Sequence, residues 1–190
     1  MRWDSLFNDL EAQFSAERSL EKESEITERA RVELAGIELV DRLRAAGAAR
    51  LKVVLSSGTA LLGSISHLGN EWLVLDEGAR QWVIPSSSIV SYQGVGRLAM
   101  RATPRFRQPL GLATALRALA RDRAPVVVHL RSQATEGLEV RGVIDRVGRD
   151  HFDIAVVQEG EVRRIGNVAS VVTVPFGALV AVSSASGPEL

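Results

Sequence analysis

One phrase occurs twice in this chain and constrains its fold more than any other feature. VIPSSSIVSY at 83–92 and TVPFGALVAV at 173–182 share two β-branched residues, a proline, a short run and an apolar tail. Two further phrases repeat in the same order: LKVVL as VVVHL, and GSISHLGNEWLVL as GVIDRVGRDHFDI. Self-similarity in three ordered segments is the sign of an internal repeat.

Each copy of the repeat reads as one helical phrase followed by five short strands. The helical phrases are DRLRAAGAA and RALARDRAP. The strand runs are rich in Val, Ile and Leu and are separated by Gly, Asp and Ser, which is typical of β-structure. They are RLKVVLSSG, LLGSISHLG, EWLVLDEG, RQWVIP and SIVSYQG, and then PVVVHLRS, LEVRGVIDRVG, HFDIAVVQ, VRRIGNVASVVTVP and ALVAVSS.

Five strands this short are expected to bend into a small closed barrel. Gly63 and Gly142 stand at the same place in the two second strands, where a sharp bend needs a residue without a side chain. Gly69 and Gly148 stand at the turn into the third strand. The proline of each repeated phrase ends strand four, and a 3₁₀ turn is expected behind it. The sequence therefore predicts two tandem five-stranded barrels.

A helix followed by five bent strands, with G-x-I near the middle of strand two, resembles the Sm/LSm-like small barrel. The C-terminal domain of the ribosome maturation factor has a similar layout. The resemblance covers residues 36–95 and 110–183, where G-x-I reads GSI and GVI. The positions that would form the uridine pocket of Sm proteins hold GNEW and VIPS in the first copy, and GRDH and TVPF in the second. These residues differ from those of the family, so the pocket is not carried over.

The arrangement of two barrels in one chain also resembles a tandem-barrel type common in actinobacteria. Proteins of this type sometimes carry the label of a Fis-type regulator. Fis proteins read DNA with a helix-turn-helix, and this sequence predicts none. The predicted fold is mostly β with helices. Its boundaries are an N-terminal helical extension over 1–35, a first Sm-like barrel over 36–96, a basic linker over 97–109, a second barrel over 110–183 and a flexible tail over 184–190.

The N-terminal segment has the period of amphipathic helices. A first apolar stripe is formed by Trp3, Phe7, Leu10 and Phe14. A second stripe begins at Ser24 and is expected to end near Gly47. Two helices, or one long interrupted helix, are predicted over residues 3–46. The first stripe either packs on the body of its own chain or binds a partner protein.

Charge is concentrated in one part of a chain whose net charge is zero. The formal charge is −4 over residues 1–48, zero over 49–96, +7 over 97–131 and −3 over 132–190. The basic segment holds Arg97 and seven further arginines, which are predicted to contact RNA or another polyanion through its phosphates. Those seven are Arg101, Arg105, Arg107, Arg117, Arg121, Arg123 and Arg131. The alternative is that the acidic N-terminal segment neutralises them.

Several classes of function are not expected from this sequence. There is no cysteine, and no nucleophile motif, phosphate loop or pair of acids is recognisable, so no enzyme, cofactor or metal site is predicted. GVGRLA at 94–99 matches G-x-G-x-x-A, but a proline follows too soon for the helix that a dinucleotide site needs. His151 and Asp153 share a strand face that is expected to be polar surface. Trp72 and Trp82 are expected in the core rather than stacked on bases.

A non-enzymatic binding or adaptor protein is therefore predicted, with RNA as its first candidate ligand. The alternative function is a structural protein–protein module that acts through the N-terminal helices. The longest apolar run, over 168–182, is interrupted by Ser, Thr, Pro and Gly, so no membrane span is expected. The N-terminus lacks the apolar stretch of a secretory signal, which makes the cytoplasm the expected location.

Overall fold

The computed structural model describes residues 14, 18, 25, 27–101, 110–132, 138–157 and 168–185. The chain divides into two compact units, Met1–Glu38 and Leu39–Leu190. In the first unit, helix α1 covers residues 27–35 and ends at Gly36, whose N–H donates to the Val32 carbonyl at 3.1 Å. Among the described residues, no helix combines the length and the apolar character needed to cross a membrane.

The second unit, Leu39–Leu190, contains two helices and all ten strands of the described chain. The elements in chain order are α2 Leu39–Ala46, β1 Arg50–Leu55, β2 Ala60–Leu68, β3 Trp72–Asp76, β4 Gln81–Pro85, β5 Ile89–Gln93, α3 Leu112–Asp122, β6 Pro125–Leu130, β7 Leu138–Val147, β8 His151–Val157, β9 Val168–Pro175 and β10 Leu179–Ser184. We refer to α2 with β1–β5 as the first half and to α3 with β6–β10 as the second half.

The apolar stripe from Ser24 to Gly47 does not form a single helix. It is interrupted between residue 35, where α1 ends, and Leu39, where α2 begins. The predicted stop at Gly47 is confirmed, since its φ of 53° lies in the left-handed region that ends helices. The α2 helix therefore enters the first half as a separate short element.

All ten strands belong to one open antiparallel sheet with the order β5-β1-β2-β3-β4-β10-β6-β7-β8-β9. The prediction of two tandem five-stranded barrels is wrong. In each half the fifth strand pairs with the first, but β4 pairs with β10 of the other half and not with its own β5. Neither half closes into a barrel, because β4 and β10 pair with each other and not with the strand that would close their own half. We call this β4–β10 pairing the join.

The two halves nevertheless share the same strand order, β5-β1-β2-β3-β4 and β10-β6-β7-β8-β9. Their irregularities also correspond. The register shifts between Ile65 and His67 in β2, and between Ile144 and Arg146 in β7. Strands β4 and β9 both end at the predicted proline. The predicted 3₁₀ turns follow at Ser86–Ser88 and Phe176–Ala178. The repeated phrases thus encode the same local structure twice.

Gly63 and Gly142 mark a close approach of two backbones. An added Cβ at Gly63 would lie 2.2 Å from the Asp76 carbonyl oxygen, and one at Gly142 would lie 2.1 Å from the Ala155 carbonyl oxygen. The neighbouring strand occupies the space that any side chain would need. Glycine is required at these two positions because of this contact between β2 and β3 and between β7 and β8.

Two apolar cores lie along the sheet, and each takes residues from both halves. The first core contains Leu73 and Ile84 of the first half, together with Val180 and Ala181 of β10. The second core is larger, and it includes Trp72 and Val83 of the first half among residues of the second. Its buried members are Trp72, Val83, Leu112, Leu116, Val126, Val128, Ile144, Phe152, Ile154, Val174, Leu179 and Val182. The join therefore merges the interiors of the two halves.

Candidate nucleic-acid interface

The α3 helix holds the ordered part of the basic segment. Its sequence LATALRALARD places Leu112 and Leu116 on the second core, where both are buried, with Leu119 partly buried beside them. The spacing of these leucines puts them on one face of the helix. Arg117 and Arg121 are four residues apart, lie one turn apart and are both exposed. The packing of the leucines therefore directs these two arginines to solvent.

The other predicted arginines are placed differently. Arg123 follows α3 in a left-handed conformation, with φ 50°, and is exposed. Arg131 follows β6 and is exposed, and its N–H donates to the Ala178 carbonyl at 2.8 Å. Arg97 and Arg101 lie in the irregular chain after β5, and both are exposed. Arg105 and Arg107 lie outside the described residues. The structure thus puts Arg117 and Arg121 on α3 and Arg123 at its C-terminal cap.

A fourth arginine, which the sequence pattern did not reveal, directly follows a residue that Arg117 contacts. The Arg117 guanidinium donates to the Gly148 carbonyl at 3.1 Å, and Arg149 is the next residue in the β7–β8 turn. Arg149 is exposed. The spacing of side chains in the sequence does not reveal this contact, because its acceptor is the backbone oxygen of Gly148. We call Arg117, Arg121, Arg123 and Arg149 the arginine surface.

Acidic groups near the arginine surface are few among the described residues. Arg121 lies 3.7 Å from Asp122, and both side chains are largely exposed. Such a pair is weak in water. Asp150 accepts a hydrogen bond from His151 at 2.8 Å, which lowers the pKa of this carboxyl. Within the described ranges, Arg117 and Arg123 have no acidic side chain at ion-pair distance.

A pocket of about 510 Å³ opens where α3 begins. The turns that precede β3 and β8 line it, with Glu71 from the first half and Arg149 from the second. The 3₁₀ turns add Ser86 and Phe176, and the first turn of α3 completes the wall. The volume lies in the range of small-molecule sites. The repeat thus brings equivalent turns of both halves to one cavity beside Arg149.

A second polar cluster, also missed from the sequence, lies at the join. His129 Nε2 is 3.1 Å from the Ser183 hydroxyl, and His129 Nδ1 is 3.1 Å from the Glu139 carboxylate. The Trp82 ring lies 4.9 Å from the imidazole. Burial is the main cause that lowers the pKa of His129, against the opposing effect of Glu139. A neutral imidazole fits, with Nδ1–H donating to Glu139 and Nε2 accepting from Ser183.

These distances match a serine–histidine–carboxylate relay, yet the serine cannot meet a substrate. Ser183 is only 1% exposed, and its backbone pairs with Trp82 and Val127 in the sheet interior. A nucleophile must reach the atom that it attacks. The cluster instead connects β4, β6, β7 and β10. Its contact between Trp82 and His129 crosses the join between the two halves.

The remaining candidate groups are accounted for in the described residues. His151 bonds Asp150, whereas the Asp153 carboxylate accepts from the Thr173 hydroxyl at 2.7 Å. No group of three or more histidines and acids there is arranged to hold a metal ion. Trp72 and Trp82 are buried, as expected of core residues. Trp3, Phe7 and Leu10 lie outside the described residues, while Phe14 is exposed. The partner surface predicted on that stripe stays a prediction.

No protein-family model matches the chain, and comparisons with curated proteins and with solved structures found no match.

Proposed function

We propose that this chain is a non-enzymatic binding protein that takes RNA on the arginine surface. The observation that carries the proposal is the exposure of Arg117, Arg121, Arg123 and Arg149, with the Arg117 guanidinium bonded to the carbonyl of Gly148, the residue before Arg149. Arg117 and Arg121 lie one turn apart on a helix whose apolar face is packed on the second core. Arginine suits phosphate oxygens because its planar fork donates two hydrogen bonds at once.

Phosphate attraction has to be local in this protein. The segment 97–131 carries +7, while the whole chain carries no net charge. Long-range steering by net charge is therefore absent, and binding depends on contacts made by the arginine surface itself. Contacts of this kind read the nucleic-acid backbone and not the bases. RNA of any sequence is accordingly the first ligand to test.

The resemblance to Sm/LSm-like small barrels supports RNA in preference to other polyanions. The two halves share one strand order, although neither closes into the barrel that the resemblance implies. The places of the Sm uridine pocket do not carry the family's residues. Glycine, asparagine, glutamate and tryptophan stand at 69–72, and glycine, arginine, aspartate and histidine at 148–151. RNA binding through phosphates does not need the residues of the uridine pocket, so it is compatible with their absence from these positions.

The test is a binding titration with a labelled single-stranded RNA of mixed sequence, followed by fluorescence anisotropy at several salt concentrations. The variant replaces Arg117, Arg121 and Arg123 with glutamine. The matched control replaces Arg18, Arg29 and Arg31 with glutamine, which removes the same charge from the N-terminal unit. Each phosphate contact contributes about 0.7 to the slope of log affinity against log salt for single strands. Loss of three contacts should make the slope shallower by about 2.

The expected result is a weaker, less salt-dependent complex for the α3 variant and an unchanged slope for the control. An identical slope in both variants would remove the arginine surface as the contact. If the unmodified protein binds no RNA at low salt, the proposal fails entirely, because low salt is where phosphate attraction is strongest. A third variant, with Glu25 and Glu28 replaced by glutamine, tests the N-terminal segment as a competitor for the arginines. Such competition would appear as tighter RNA binding in this variant.

A further inference from the structure

We infer that the pocket at the start of α3 binds a small zwitterion, a molecule that carries a cationic group and an anionic group on an apolar body. The inference is independent of RNA binding, although Arg149 belongs both to the pocket and to the arginine surface. The pocket has a volume of about 510 Å³, which suits a small molecule. One wall comes from the first half and one from the second, and the first turn of α3 completes the lining.

Equivalent hydrogen bonds hold the two walls in place. In the first half, the Ser86 N–H donates to the Glu71 carbonyl at 2.8 Å, which ties the 3₁₀ turn to the turn before β3. In the second half, the Phe176 N–H donates to the Asp150 carbonyl at 2.8 Å, which ties the corresponding two turns together. The repeat therefore builds both walls with the same backbone contact.

Helix α3 is bonded to both walls. The Trp72 indole N–H, from the first half, donates to the Leu110 carbonyl at 2.7 Å, immediately before the pocket-lining turn of the helix. Further along the helix, the Arg117 guanidinium donates to the Gly148 carbonyl at 3.1 Å, in the turn before β8. The lining is therefore assembled by the fold before any ligand arrives.

The two walls differ in chemistry, although the repeat makes them equivalent in position. Asn70 corresponds to Arg149, Ser86 to Phe176 and Ser87 to Gly177. The first-half wall carries a carboxylate, a carboxamide and two hydroxyls, from Glu71, Asn70, Ser86 and Ser87. The second-half wall carries the guanidinium of Arg149 and the aromatic ring of Phe176. A ligand that fits both walls must therefore differ at its two ends.

The charges of the walls indicate what those ends are. The Arg149 guanidinium binds a carboxylate through two parallel hydrogen bonds, and the N-terminus of α3 favours an anion as well. The Glu71 carboxylate attracts an ammonium group and repels a second anion. Pro85, Leu112 and Phe176 give the pocket an apolar part. A free dipeptide with apolar side chains combines all three properties.

The test is a titration of the ¹⁵N-labelled full chain with leucyl-phenylalanine, followed by two-dimensional NMR without nucleic acid. The dipeptide should cause saturable shifts at the amides of the lining residues Gly111, Ala113 and Gly177. N-acetyl-leucyl-phenylalanine lacks the cation and leucyl-phenylalanine amide lacks the anion, so each should bind about tenfold more weakly. Uridine monophosphate, which has no cation for Glu71, should also bind more weakly than the dipeptide.

Variants assign each charge to one wall. Arg149→Gln should weaken the dipeptide about tenfold and leave the affinity of the dipeptide amide unchanged, because the amide has no carboxylate to lose. Glu71→Gln should weaken the dipeptide to a similar extent and leave the N-acetylated dipeptide unchanged. Arg146→Gln is the matched control, since Arg146 is exposed on β7 and does not line the pocket.

A third variant fills the pocket. Nothing lies within 4 Å of an added Cβ at Gly177, and its φ is outside the left-handed region, so Gly177→Leu should fold normally and abolish the shifts. Gly96→Leu is its control, because Gly96 is equally open but lies away from the pocket. Thermal melts verify folding.

Three results would overturn the inference. The first is a dipeptide that causes no saturable shift at the lining amides at millimolar concentration. The second is a blocked dipeptide, or uridine monophosphate, that binds as tightly as the free dipeptide. The third is an unchanged dipeptide affinity in a folded Gly177→Leu variant.

Discussion

Replacing Gly142 with alanine should reduce the stability of the protein by far more than an ordinary surface change. The new Cβ would lie 2.1 Å from the Ala155 carbonyl oxygen and 2.9 Å from its carbon. Contacts of this kind are not found below about 3 Å, so the two strands must separate by roughly 0.9 Å at this point. The affected atoms are backbone, which cannot rotate away as a side chain can.

The size of the effect depends on the contacts that this separation breaks. Gly142 pairs with Val156 and Val143 pairs with Ala155, which is 1% exposed. Hydrogen bonds stretched by that distance are largely lost, at about 1 kcal/mol net each, and a buried group left without a partner costs about 1–3 kcal/mol. The smaller entropy of the unfolded alanine chain returns about 0.4–1 kcal/mol. A net loss of about 2–3 kcal/mol is expected.

The assay is urea unfolding followed by far-UV circular dichroism, with the slope against urea checked for constancy. In a thermal melt the same loss should lower Tm by about 4–12 °C for a chain of this size. Gly177→Ala is the control, because nothing lies within 4 Å of an added Cβ there. Gly63→Ala should behave like Gly142→Ala, since its Cβ would lie 2.2 Å from the Asp76 oxygen. Equal stability of the Gly142 and Gly177 variants would refute the close-approach argument.

Two further changes test the join. Ser88→Ala removes the hydroxyl bonded to the Leu179 carbonyl and should lower the free energy of unfolding by about 1 kcal/mol, whereas Ser57→Ala, at an exposed turn, should change it little. Burial lowers the pKa of His129 below the 6.5 of the unfolded chain, so the unfolded state binds the proton more readily. Stability should therefore be complete above about pH 7.5 and decline as the pH falls below about 6.5, and His129→Gln should flatten that decline in urea unfolding curves. A decline that is as steep in the variant would assign the pH dependence to other groups.

The sequence was informative wherever structure depends on neighbours along the chain. Strands β4 and β9 end at prolines because proline has no N–H to donate to the sheet. A 3₁₀ turn follows each proline, and both features are read directly from the repeated phrase. The stop at Gly47 and the apolar face of α3 are equally local. The break after α1 was missed, because a glycine inside an amphipathic stripe is compatible with a continuous helix as well as with two.

The join could not be predicted, because it is a choice between two partners for the same edge. A strand four that ends in the same phrase can pair with its own strand five or with that of the other half. What distinguishes the pairs is the non-local cluster of Trp82, His129 and Ser183, whose members are separated by about fifty residues in sequence. A signal was nevertheless present. The equivalent positions in the other copy hold Val172, Val54 and Gln93. The two copies therefore differ in sequence at the positions that form this cluster.

The arginine surface depends on both halves, although its arginines all come from the second. Arg117 and Arg121 are four residues apart and share a face of α3, but their position on the protein is set by the packing of α3. Leu112 and Leu116 fix the helix on the second core, and the Trp72 indole N–H donates to the Leu110 carbonyl at 2.7 Å, just before the helix begins. Trp72 belongs to β3 of the first half. The first half therefore positions the start of the helix, and the surface is a property of the continuous sheet rather than of the second half alone.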